Sequence, residues 1–161
     1  MSVTLPPSGT RGSTIPGFAR PLLKAGMALS HVMFGILGDR MKVQGNSLLG
    51  LKSIGARTGK ERHSVVARFA DPEHPGAWLV VGSNGGAARH PAWCYNLTKN
   101  PDRVWIMVGH DEFKVRPELL QGAEREKAWH RIVSVAPGFG KYETTTDRKI
   151  PVFRMTPDSP A

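Results

Sequence analysis

Cysteine is all but missing from this 161-residue chain. Cys94 stands alone, so no intrachain disulfide can form and a cysteine-rich metal site is excluded, as suits a reducing cytoplasm. Acidic residues are scarce too: 13 Asp and Glu face 22 Lys and Arg, giving a net charge of +9 and a pI near 10.2. Such a surplus implies an anionic partner, whether nucleic acid, an acidic membrane surface or a polyanionic small molecule. Aromatics make up 7% and are not interleaved with the basic residues as a base-stacking platform requires, so no nucleic-acid partner is expected. The longest apolar stretch, residues 25–37, is broken by Ser30 and His31 and falls short of the ~20 residues that cross a bilayer. Histidines at 31, 63, 74, 90, 110 and 130 have no metal-ligand spacing, and no metal is expected.

What is present suits one domain with a single core. Residues 1–17 hold three Pro and three Gly with no early apolar core; they are expected to be a loose leader without a secretory signal, with the domain over 18–161. A helix is expected over about 18–37, packing on the sheet as a lid to a pocket or, with Arg11, Arg20, Lys24, Arg40 and Lys42 around it, resting on an anionic membrane. Strands are expected at 47–54, 62–69, 77–82 and 150–155, a hairpin at 103–108 and 112–117, and helices at 91–100 and 123–135. Many short strands and few helices describe an α+β protein, a small antiparallel barrel with helices at its ends.

Three segments carry candidate chemistry. In Gly55–Arg62, two glycines, Thr58 and the cations Arg57, Lys60 and Arg62 form a turn suited to an anion, though a merely solvated basic turn has the same composition. It is not a Walker loop. Alternation on the following strand puts Arg62 and Ser64 on one face and His63 and Val65 on the other. Next, an apolar strand runs into Gly82-Ser83-Asn84-Gly85-Gly86, whose glycines permit close approach of a planar ligand or a phosphate. Then comes His90–Pro101, in which Trp93, Asn96 and Leu97 share a helix face; Asn96 needs a hydrogen-bond partner there, for which the glycine loop is one choice.

In this order and spacing, Gly-x-Arg-Thr-Gly-x-x-Arg, Gly-Ser-x-Gly-Gly and His-Pro-x-Trp-x-x-Asn-Leu-x-x-Asn-Pro resemble the motif series of the deazaflavin-dependent nitroreductase family of actinobacterial oxidoreductases. The match runs from about Gly45 to Val108 and resumes at Thr146–Val152. The resemblance implies a split β-barrel like that of pyridoxine 5′-phosphate oxidase, with an N-terminal helix and flanking helices. It implies coenzyme F-420 as cofactor and hydride transfer to an electron-poor small molecule such as an enone, a quinone-like ring or a nitro compound. By the family's pattern Arg57, Thr58, Lys60 and Arg62 hold the phosphate and anionic tail, while Ser64 and Val65 contact the cofactor. Ser83, Asn84, Gly85 and Gly86 lie beside its ring, supported by Ala92, Trp93 and Asn96. Relatives often carry a basic residue where this chain has Asn84, and another where it has Ala56. In nitroreducing relatives tyrosines border the substrate at the positions of both Phe139 and Tyr142; here only Tyr142 can donate a proton. The alternatives are FMN on the same barrel and an F-420 carrier without turnover. Both monomer and homodimer are left open.

Overall fold

The computed structural model describes residues 4–159 apart from Gln44. A short 3-10 turn leads into helix α1, Arg20–Leu37, and a pair of residues, Lys42–Val43, forms strand β1. The remaining strands are β2 (Asn46–Ile54), β3 (Glu61–Ala67), β4 (Phe69–Ala70), β5 (Trp78–Val81), β6 (Trp105–Val108), β7 (Asp111–Leu119) and β8 (Val152–Pro157). Helices α2 (Ala92–Lys99), α3 (Gly122–Val135) and α4 (Gly140–Thr145) lie between them.

All strand pairings are antiparallel, in the order β1-β2-β6-β7-β8-β5-β4, with β3 added on β2. The curl of this sheet follows from one continuous stretch, residues 61–70. Its first part pairs with β2, Gly50 opposite Val65. After Arg68, whose N–H bonds the Ser47 carbonyl, it crosses to β5, Phe69 opposite Leu79. The two ends of the sheet are thereby joined at one corner and left apart beyond it. This is the antiparallel split barrel that was expected, and the seam where β3 faces no second strand is the split.

Apolar alternation distributes the core over both faces. Val80, Phe153 and Met155 point into the barrel with Leu49, Leu51 and Ile106, closed at one end by Trp93, Cys94 and Leu97 of α2. Leu79, Val81 and Val152 point outward against Trp129 and Ile132 of α3 and against Phe139. Strand β5 is buried on both faces, which accounts for its unbroken Trp-Leu-Val-Val run. Between these layers Arg154 on β8 meets Asp71 at 2.6 Å, Glu118 at 3.0 Å and Glu124 at 2.7 Å, tying α3 to the sheet. A buried guanidinium needs such partners, since its desolvation is otherwise uncompensated.

The expected helices and long strands lie within a few residues of their predicted places. Helix α4, its preceding 3-10 turn and the two-residue strands β1 and β4 carry too little periodicity to be read from sequence.

Candidate active site

A cleft of about 890 Å³ opens along the seam. One wall is the edge of β3, residues 62–67, whose backbone has no strand partner on that side among the described residues. The loop after β5 and the start of α2 form the second wall through Ser83, Asn84, Gly85, Pro91 and Trp93. Helix α1 lies over the opening with Leu23, Met27 and His31, so the expectation that it lids a pocket holds. Phe139 and Tyr142 close the far side, their rings edge to face at 5.5 Å. Tyr142 Oη makes no hydrogen bond among the described residues.

The basic turn sits at one end of this wall. The Gly55 N–H bonds the Lys60 carbonyl at 2.8 Å and the Gly59 N–H bonds the Gly55 carbonyl at 2.9 Å, with Gly59 at φ +67°. Inside the turn, Thr58 Oγ1 accepts from Arg62 Nη2 at 3.3 Å; a Cβ on Gly55 would lie 2.6 Å from that oxygen. Arg57, Lys60 and Arg62 are exposed, and among the described residues no carboxylate comes within ion-pair distance of them. The nearby Glu61 is engaged by His63 at 2.8 Å. Three uncompensated cations at the mouth of an apolar cleft form a ready seat for a polyanion.

Asn96 does not reach the glycine loop. It is 6% exposed, and its Oδ1 accepts the Ala56 N–H at 2.9 Å while its Nδ2 donates to Ser53 Oγ at 3.4 Å. It therefore anchors the basic turn to α2. The cleft gathers Arg62, Ser64, Val65, Ser83, Asn84, Gly85, Trp93 and Tyr142. Arg57, Thr58 and Lys60 flank it on the turn. Gly86 is buried behind the loop against Thr145, Ala92 is exposed at the first turn of α2, and Asn96 lies below the turn. The expected division of β3 into an Arg62/Ser64 face and a His63/Val65 face does not divide the cleft, which takes all four along this open edge; His63 meets His31 of α1 with ring centroids 4.5 Å apart. Burial and the neighbouring His63 hold the His31 pKa below its ordinary value.

Sequence reasoning missed the residues that shape the glycine loop. Arg148, 5% exposed, donates to the carbonyls of Gly82 (3.1 Å), Ser83 (2.7 Å) and Ala87 (2.7 Å) and to His90 Nδ1 (3.0 Å). That last bond leaves the proton of His90 on Nε2, which donates to the Pro6 carbonyl at 2.7 Å. Asp147 accepts the N–H groups of Thr10 (2.8 Å) and Arg11 (2.9 Å) and the Thr10 hydroxyl. These bonds, the hydroxyl's first among them, hold its carboxyl down at about 2. The segment expected as a loose leader thus carries a set of hydrogen bonds over residues 6–13. The available signal in the sequence is the Thr146–Val152 match, which contains both Asp147 and Arg148.

The fold and the site define a class, a split barrel whose open edge is flanked by a cationic turn and a glycine loop. Comparison with known proteins narrows the class. The family model of the F420H(2)-dependent quinone reductases matches residues 31–157, and the chain belongs to that family. An F420H(2)-dependent quinone reductase of Mycobacterium tuberculosis strain H37Rv is 33% identical over 138 residues, 84% of this chain and 89% of that protein. A second protein of the same strain, a putative F420H(2)-dependent quinone reductase, is 37% identical over 79 residues, 49% of this chain and 66% of its own. Among solved structures, the F420-H2-dependent reductase FDR-A is 33% identical, covering 67% of this chain and 92% of its own, with a TM-score of 0.59. A structure described as a domain-swapped dimer is 27% identical over 84% of this chain and 98% of its own, also with a TM-score of 0.59.

Proposed function

We propose that this chain is an F420-dependent oxidoreductase that seats the reduced deazaflavin in the seam cleft and reduces quinone-like, electron-poor small molecules there. Family membership supports the cofactor and the reaction class. The residues present fit the group: Gly85 has nothing within 4 Å of where a Cβ would sit, so a flat ring can approach the loop backbone closely. Among the described residues Arg57, Lys60 and Arg62 lack carboxylate partners, and they suit a phosphate and an acidic tail. The observation that carries the reading is this pairing of a cationic turn with an open glycine loop across one unpaired strand edge.

When bound, the cofactor supplies hydride chemistry. The chain's own residues bind, orient and exclude water. Thr58 and Arg62 hold the anionic end, while the free edge at Ser64 and Val65 offers backbone hydrogen bonds. Trp93, packed on Phe153 at 5.7 Å, makes a rigid apolar floor, with Ala92 and Asn96 supporting from α2. The Tyr142 hydroxyl faces the substrate side of the cleft, where it donates the proton that accompanies hydride addition. Titrating the protein with F420 and following fluorescence quenching tests the seat; anaerobic oxidation of F420H2 by a panel of quinones and enones tests turnover. Absence of quenching at high micromolar cofactor overturns the proposal, and quenching without turnover on any acceptor reduces it to a carrier.

No helix among the described residues is long and apolar enough to cross a membrane. The 3-10 turn before α1 nonetheless leaves Phe18 at 82% exposure and α1 leaves Leu22 and Ile36 at 74% and 71%, and the helix's only charged residues are Arg20 and Lys24. We propose that this ridge rests on an anionic bilayer, where apolar quinones dissolve. Co-sedimentation with phosphatidylglycerol vesicles but not phosphatidylcholine vesicles is expected, and Leu22→Asp should abolish it. If sedimentation equilibrium instead gives a dimer that Leu22→Asp dissociates, a second copy covers the ridge.

A further inference from the structure

We infer that residues 8–13 form a strap that, together with Asp147 and Arg148, holds the Ser83–Gly86 loop in its cleft-facing conformation, making Arg148 a positioning residue for the site. The inference rests on the assignment of that loop to the cofactor ring.

The loop needs holding. Asn84, Gly85 and Gly86 follow one another at φ +46°, +61° and +79°, a left-handed run that costs energy at the non-glycine position. Arg148 staples both ends of it: its guanidinium takes the Gly82 and Ser83 carbonyls on one side and the Ala87 carbonyl on the other. No carboxylate pairs with Arg148 among the described residues. A buried cation held only by peptide carbonyls and one imidazole is costly to desolvate, and what it secures here is loop shape.

The strap engages two carbonyls in between and the one just beyond Ala87. The Ser13 N–H bonds the Gly86 carbonyl at 3.0 Å, Ser13 Oγ the Gly85 carbonyl at 2.9 Å, and the Gly9 N–H the Ala88 carbonyl at 2.7 Å. Asp147 clasps Thr10 and Arg11 from the other side, and Thr146 Oγ1 donates to the Arg11 carbonyl at 2.8 Å. Contact is backbone to backbone: a Cβ on Gly12 would lie 2.3 Å from the Ala88 nitrogen and 2.6 Å from the Gly86 oxygen. With Arg148 and the strap taking these carbonyls, the Asn84 and Gly85 N–H groups make no hydrogen bond among the described residues, and both residues line the cleft. They are the donors available to an electron-rich ring oxygen.

Gly12→Ala tests this without altering any cleft residue, and Asp147→Ala removes the acceptor oxygens that clasp Thr10 and Arg11 from the other side. Two readouts separate strap from cofactor. Limited trypsin digestion, followed by mass detection of the fragment ending at Arg11, is expected to be slow for the wild type and at least tenfold faster for both variants. F420 affinity by fluorescence is expected to fall about tenfold, the equivalent of one lost hydrogen bond, with the melting temperature of the barrel nearly unchanged. Unchanged trypsin sensitivity in both variants overturns the strap. Faster cleavage with unchanged F420 affinity overturns its role in positioning the loop. If the wild type binds no F420 at all, the cofactor reading fails, while the trypsin arm still decides whether the strap is seated.

Discussion

Asn96 Oδ1 accepts the backbone N–H of Ala56 at 2.9 Å, so a buried side chain on α2 fixes the turn that carries Arg57, Lys60 and Arg62. The relationship makes the anion seat a property of the helix as well as of the hairpin. Asn96→Ala leaves the Ala56 N–H and Ser53 without that partner below the turn. A loss of about 1–3 kcal/mol is expected for a buried group left unpaired, read by urea unfolding, together with weaker F420 binding. Stability and affinity both equal to wild type would count against the anchor.

Arg62→Glu reverses a charge that lines the cleft and also removes the donor to Thr58 Oγ1. F420 affinity should drop by more than about tenfold, since charge-assisted hydrogen bonds to phosphate are among the stronger ones. The wild-type affinity itself should weaken with added salt, because the turn is exposed and screened. Isothermal titration at two ionic strengths checks both outcomes.

Tyr142→Phe keeps the edge-to-face packing on Phe139 but deletes the hydroxyl. Turnover with quinones should fall by roughly a hundredfold, the low end of general acid catalysis, with KM little changed. A kcat equal to wild type would show that water or another group delivers the proton.

Two histidines set an acid limit. Burial, then the charge of Arg148, hold His90 below its ordinary pKa of 6.5, against the raising effect of its bond to the Pro6 carbonyl. The groups facing it are Arg148 and the ring of Tyr95. His31 is lowered in the same direction by burial and by His63, which itself faces Glu61. Because the unfolded chain binds protons more readily at these sites, their contribution is complete above pH 6.5 and is lost as the pH falls below it. Melting temperature should therefore decline from pH 6.5 toward 5. His90→Gln should flatten part of that slope.

Gly82→Ala places a methyl 2.6 Å from Cys94 Sγ and 2.9 Å from Pro151 Cγ, where β5 passes α2. Overpacking of this kind costs about 1–3 kcal/mol, which thermal unfolding would detect as a lower midpoint without loss of the cleft's cations.

Much of this was written locally. The charge surplus called for an anionic partner, and short apolar runs bounded by turns placed β2, β5 and β7. Pro91 marked the start of α2, and glycines within hydroxyl- and cation-bearing turns marked both ends of the cleft. These features depend on neighbours a few residues apart, and periodicity or turn chemistry reports them directly. The resemblance of three ordered motifs then named cofactor and fold together.

Tertiary structure decided what distant segments do to one another. Nothing near Asn96 in sequence says that its partner is Ala56, 40 residues away, and nothing near Arg148 says that its guanidinium closes the ends of a loop more than 60 residues earlier. Glycines 9 and 12 look like flexible filler in a list, yet the space left for a side chain there is set by Asp147 and Ala88. One cysteine, few acids and a basic surplus fixed what kind of partner this chain seeks. Where that partner can sit was decided by the closing of the barrel, because only there do an unpaired strand edge, a cationic turn and a held glycine loop come to face one cleft.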